Sequence, residues 1–99
     1  MKKLFPEFLF QGSKGPAVVV LQLLLLALNE NSKIIPDGDF GNETAKGVKK
    51  LQSRLGVDQD GCFGPKTREA FFWRTGIQIN AIPVLDGETT VPEVVAQTM

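Results

Sequence analysis

The sequence makes one statement twice. Asp37-Gly38-Asp39-Phe40-Gly41 is followed by Thr44, and Asp60-Gly61-Cys62-Phe63-Gly64 is followed by Thr67. No other feature constrains the fold as strongly. Asp–Gly is turn chemistry: the carboxylate accepts backbone N–H groups just ahead, and the glycine supplies a backbone angle other residues resist. Phe40 and Phe63 then serve as inward apolar anchors. Gly41 and Gly64 predict helix N-caps, with Asn42 or Pro65 at the first helical position, where proline is favoured. Glu43 falls in a first turn, where the helix dipole favours an acid. Thr44 and Thr67 are placed to tie each helix start back to its loop.

Each block therefore predicts a turn followed by a helix. The apolar stripe Val48, Leu51, Gln52 and Leu55 predicts a helix over 42–55 that stops at Gly56. Ala70, Phe71 and Arg74 predict another over 65–75, ending at Gly76. A first helix is predicted from Pro16 to Asn29, a residue that tolerates the left-handed conformation. Its Val18-x-x-Leu21-Gln22-x-x-Leu25 is echoed by Val48-x-x-Leu51-Gln52-x-x-Leu55, so helix and turn are duplicated together. Gly47 inside the second helix costs about 1 kcal/mol relative to alanine and predicts close approach of another helix. The fold class is all-α: a small three-helix bundle with an internal pseudo-repeat and an extended C-terminal tail. Residues 1–10 are read as an N-terminal strap, 11–75 as the helical domain and 76–99 as an acidic linker or strap.

Composition narrows the chemistry. A chain of 99 residues is one domain, and 42% hydrophobic content is enough for a core. There is no histidine and one cysteine, which excludes a His-dependent triad, a His-ligated zinc and an internal disulfide. Net charge is zero, with all the Lys and Arg before residue 76, so no basic face argues for nucleic acid. The apolar run from Val18 to Leu28 falls short of the roughly 20 residues a membrane span requires. Pro6, Glu7 and Gln11 interrupt the N-terminal apolar stretch, so no export signal is read. Val19, Leu23 and Leu26 add a second apolar stripe to the first helix, which must be covered on more than one side. Residues 4–10, the 77–85 stretch or a partner are the candidates, with the tail or the strap expected to cover most of it.

These motifs resemble the peptidoglycan-binding domain of cell-wall hydrolases. Gly12-Ser13-Lys14-Gly15 precedes Val18, Leu21, Gln22 and Leu25. The two D-G-x-F-G-x-x-T turns follow in order, with Val48, Leu51 and Gln52 between them. The likeness covers about residues 11–75. Gly47 in place of alanine, Leu51 in place of an aromatic, and the apolar first helix depart from it. The resemblance implies a three-helix, non-catalytic module that attaches to peptidoglycan, through its glycan or its stem peptide, and tethers a hydrolase to that polymer. No cofactor or metal is implied. Action at the bacterial cell wall or periplasm follows, in a phage-type lysin or as part of a longer protein, made in the cytoplasm. The alternative is a protein–protein interaction or scaffold domain that uses the second face of the first helix.

For each candidate residue the plain role stands beside the functional one. Asp37, Gly38, Asp60 and Gly61 foremost shape loops, yet turns at helix N-termini also present N–H groups that suit carboxylates. Phe40, Asn42, Thr44, Phe63 and Thr67 belong to the same turns and are carried as candidate contacts. Gln22 and Gln52 read first as buried amides bonded to loop backbone, and second as the rim of a groove. Trp73 is foremost a core residue. If exposed, its ring offers a stacking face for a sugar, with Arg74 beside it for a carboxylate. Lys46, Lys49 and Lys50 form a solvated helix face. An EF-hand fails, since the sixth position from Asp37 or Asp58 is not glycine. Asp39 and Glu43 could pair as glycosidase carboxylates, but a small bundle offers little cleft.

Overall fold

The computed structural model describes residues 6–79 and 89–91. Three helices follow one another: α1 from Pro16 to Ala27, α2 from Asn42 to Leu55 and α3 from Pro65 to Thr75. Gly15, Gly41 and Gly64 are their N-caps, and Pro16 and Pro65 sit at the helix starts, where a missing N–H costs nothing. At the end of α1 the chain turns through Asn29, at φ 62°. Its N–H bonds Leu26 O while the Glu30 N–H bonds Leu25 O, at 3.0 Å each. At the end of α2, Gly56 at φ 76° repeats the arrangement, with Val57 N–H on Gln52 O at 3.1 Å. Both are Schellman closures that satisfy the last carbonyls of a helix. Thus α1 ends two residues before the sequence predicts, and Asn29 still makes its left-handed turn.

The core is the meeting of the predicted stripes. Val18, Leu21 and Leu25 of α1 pack with Val48 and Leu51 of α2, Phe71 of α3 and the turn anchors Phe40 and Phe63, all fully or nearly fully buried. Gly47 is where α2 is approached most closely, but not chiefly by a helix. A Cβ there would lie 2.8 Å from Ile34 Cδ1, in the loop between α1 and α2, and 3.3 Å from Leu25 Cδ1 of α1. Trp73, predicted first as core, is 76% exposed. Helical geometry allows only part of the Phe71-Phe72-Trp73 run to face inward. Phe71 takes the core, which turns Trp73 outward.

Segments distant in sequence close the bundle. Among the described residues the β pairing consists of isolated antiparallel bridges: Leu9 with Phe63, and Lys14 with both Asp39 and Thr90. Leu9 and Phe63 exchange both backbone bonds, at 3.1 and 2.7 Å, and Leu9 is fully buried. The Arg68 guanidinium grips the carbonyls of Pro6 and Glu7. Thr89 Oγ1 accepts the Ala17 N–H at 2.9 Å, so a residue 72 positions away caps the start of α1. Residues 6–10 and 89–91 make these contacts with the bundle; what the sequence reading placed on 1–5, 80–88 and 92–99 lies outside the described residues. On the second face of α1, Val19, Val20 and Leu26 are partly covered, whereas Leu23 stays 52% exposed. The coverage expected from the strap therefore does not reach Leu23 within the described residues.

Candidate functional site

The duplication is a duplication of one hydrogen-bond network. Gln22 leaves α1 fully buried and its amide donates to Thr44 Oγ1 at 3.0 Å, Asp39 O at 3.0 Å and Asp37 Oδ1 at 3.3 Å. Its Oε1 accepts the Gly38 N–H at 2.9 Å. Thirty residues on, Gln52 does the same from α2. It donates to Thr67 Oγ1 at 3.0 Å, Cys62 O at 2.8 Å and Asp60 Oδ1 at 2.8 Å, and accepts the Gly61 N–H at 3.0 Å. Asp37 and Asp60 also accept the N–H two residues ahead, on Asp39 and Cys62, at 2.9 Å each. One glutamine thus ties the end of one segment to the turn and first helical residues of the next. The glycine is required because its N–H must reach the amide while the chain turns at φ 80° or 76°.

This network sorts the sequence candidates. Phe40, Phe63, Thr44, Thr67 and Gln52 are at most 3% exposed, so their side chains frame the turns from beneath. Gln52 is not the groove rim that one reading of the sequence placed there, because its polar atoms are bonded within the chain. Gly38 and Gly61 are buried as well. The exposed candidates are Asp37, Asn42, Asp60, Trp73 and Arg74. Asn42 Oδ1 accepts from Gln11 Nε2, and Arg74 Nη1 donates to Arg54 O at 3.3 Å. Trp73 meets Phe72 edge-to-face, 5.7 Å between ring centroids, at the far end of α3.

Two shallow grooves flank the two turns at equivalent places. The first, about 220 Å³, is lined by Lys33, Ile35, Asp37, Asp39, Gly41, Asn42, Glu43 and Thr44. The second, about 390 Å³, is lined by Phe8, Val57, Asp58, Asp60, Cys62, Gly64, Pro65, Lys66 and Thr67. Trp73 and Arg74 line neither. Phe8 and Lys66 were missed by the sequence reading, and Asp58 was weighed there only as a calcium-loop position. A third, polar cleft of about 360 Å³ lies where residues 29–33 meet the lysines of α2. At its back Glu30, 2% exposed, forms an ion pair with Arg54 Nε at 3.1 Å.

Charges follow the same partners. The Asp39 N–H, and after it the Gln22 amide, hold the Asp37 carboxyl below its ordinary range. Glu43 is lowered by the Asn31 amide, which donates to it at 3.0 Å, and by Lys46 and Lys33. Burial pushes the Cys62 thiol up to about 11, reinforced by Asp60 and partly offset by Arg68. No three His, Cys, Asp or Glu side chains gather as a metal site among the described residues, and no described helix is long and apolar enough to cross a membrane.

Fold and site together define a small helical module, two turn–helix repeats locked from within that offer shallow surface grooves. A family model described as "Putative peptidoglycan binding domain" matches residues 14–71, and the chain belongs to that family. It is 40% identical over 61 residues to the N-acetylmuramoyl-L-alanine amidase CwlL of Bacillus licheniformis, and 38% identical to a second protein of that organism named "Probable N-acetylmuramoyl-L-alanine amidase". Each match takes in 61% of this chain but only 17% of the amidase. The crystal structure of the SleB N-terminal domain superposes with a TM-score of 0.61 and 29% identity, over 72% of this chain and 97% of that one.

Proposed function

We propose that this chain is a non-catalytic module that binds bacterial cell-wall peptidoglycan and holds an associated cell-wall hydrolase at its polymer. The family supports attachment to the wall, and the amidases that share this segment support the hydrolase association. Their enzymatic activity does not transfer with the shared 17% of their length. A weak site on a tether raises the local concentration of whatever is joined to it, which is the physical use of such a module on an insoluble substrate. The relatives are Bacillus amidases, and nothing in them supports a phage origin.

The observation that carries the proposal is the doubled lock. Two equivalent networks spend the buried polar groups on rigidity and leave Asp37, Asn42 and Asp60 at the surface on fixed turns, a surface suited to gripping a polymer. Trp73 and Arg74 offer a stacking face and a guanidinium at the other end of α3. Retention on purified, insoluble sacculi at moderate salt tests the reading. The wild-type chain is expected to pellet with sacculi, and Trp73→Ala or Asp60→Asn to pellet less while melting normally. A wild-type chain that stays in the supernatant would refute it.

A further inference from the structure

The two grooves have the same ancestry in the repeat but not the same chemistry. Around the first, the polar side chains at the helix start are already tied to the chain itself. Asn42 is bonded to Gln11, and Glu43 to Asn31 and Lys46. Around the second, the two equivalent helix-start positions carry no such ties. Pro65 replaces Asn42 and Lys66 replaces Glu43, and among the described residues neither the Asp58 nor the Lys66 side chain makes a hydrogen bond or ion pair. Asp60, like Asp37 in the first turn, uses only Oδ1, on Gln52 and Cys62, which leaves Oδ2.

The second groove also has a wall the first lacks. A Cβ on Gly64 would lie 3.0 Å from Phe8 Cδ1 and 3.2 Å from Cε1, so glycine is what lets the ring rest on the turn. At the equivalent Gly41 nothing lies within 4 Å of that position. Phe8 is held on both sides: Leu9 is paired to Phe63, and Arg68 grips the carbonyls of Pro6 and Glu7. The ring is only partly buried, and it faces a space of about 390 Å³.

A fixed aromatic ring, with Pro65, Val57, the Asp58 carboxylate and Asp60 Oδ2 lining the same groove, matches the two-sided chemistry of a pyranose. Sugar C–H faces pack on rings, while hydroxyl and amide N–H groups donate to carboxylates. A stem peptide, rich in carboxylate, is poorly matched by a groove whose uncommitted charges are two aspartates and one lysine. We propose that the second groove, built by Phe8, Asp58, Asp60 and Lys66, is a glycan subsite that takes an N-acetylated hexosamine unit, and that the first groove does not. The proposal rests on the wall-binding reading and deepens it: the recognised moiety is the sugar strand, and the N-terminal strap is part of the site.

The test uses the full chain and three probes: intact sacculi, glycan strands stripped of peptide, and free stem peptide. Stripped glycan is expected to bind saturably and to shift amide resonances at residues 8, 58–60, 64 and 66, leaving those at 39–43 unmoved. Phe8→Ala is expected to weaken glycan binding about ten-fold. Phe8→Leu, which keeps the apolar packing without the ring, should weaken it comparably, and Phe8→Trp should preserve it. Asp58→Asn should weaken it, whereas Ile35→Ala in the first groove should not. Thermal unfolding of each variant separates loss of the ring face from loss of the fold. Binding of stem peptide but not glycan, or glycan binding indifferent to Phe8→Leu and Asp58→Asn, would overturn the subsite while leaving the wall-binding reading standing. Failure of the wild type to bind sacculi would remove both.

Discussion

Replacing Gln52 with alanine is the most informative single perturbation. The amide donates toward Asp60, Cys62 O and Thr67 and accepts from Gly61 N–H, all between 2.8 and 3.0 Å. An amide with two hydrogens satisfies about two of those acceptors fully, so roughly three bonds are lost, each with a net value of about 1 kcal/mol. The Gly61 N–H is then left buried without a partner, which raises the total to about 3–5 kcal/mol. Against a typical domain stability of about 5–15 kcal/mol this is severe. At about 4–8 °C per kcal/mol for a domain of this size, Tm should fall by at least about 12 °C. Circular dichroism melts and urea titrations measure it. Gln52→Glu should be no better at neutral pH, since its second oxygen would face Asp60 Oδ1 and Cys62 O, acceptors both. A Tm drop of less than about 3 °C for Gln52→Ala would refute the structural account. So would an unchanged Tm combined with lost retention on sacculi, which would make the amide a ligand contact.

Gln22 carries the same network with looser bonds, most of all 3.3 Å to Asp37 against 2.8 Å to Asp60. Double-mutant cycles should therefore give a smaller coupling for Gln22/Asp37 than for Gln52/Asp60. Gly47→Ala gains about 1 kcal/mol of helix propensity but crowds Ile34, at an overpacking cost of about 1–3 kcal/mol. The pair Gly47→Ala/Ile34→Val should be more stable than the two single effects add to, by chemical denaturation. Gly38→Ala should destabilise more than Gly56→Ala: both have positive φ, but only at Gly38 would a Cβ press on backbone, 3.2 Å from Gly15 O. With its thiol raised to about 11, Cys62 should react with iodoacetamide at pH 7.4 roughly 100-fold slower than an unperturbed thiol, recovering in urea. Because that pKa is raised in the fold, its contribution to stability is complete below the ordinary thiol pKa and is lost as pH rises through 11. The alkaline fall in Tm should accordingly be smaller in Cys62→Ala.

What the sequence determined by itself was the repeated unit: two Asp–Gly turns, the glycine N-caps, the bounds of α2 and α3, and glutamine as a buried tie. These lie within reach of one another along the chain, and each follows from local backbone chemistry that tertiary packing reinforced. The three-residue aromatic run at 71–73 was undecidable locally, because all three rings are apolar and only the position of α3 against the core chose Phe71 to bury and Trp73 to expose. Gly47 announced a close approach without naming its partner, since Ile34 sits in a connection of no regular period. Thr89 as the cap of α1, and Phe8 as the wall of the second groove, belong to tertiary structure alone. Each depends on a contact between segments more than fifty residues apart, and no pattern along the chain records which distant residue will arrive.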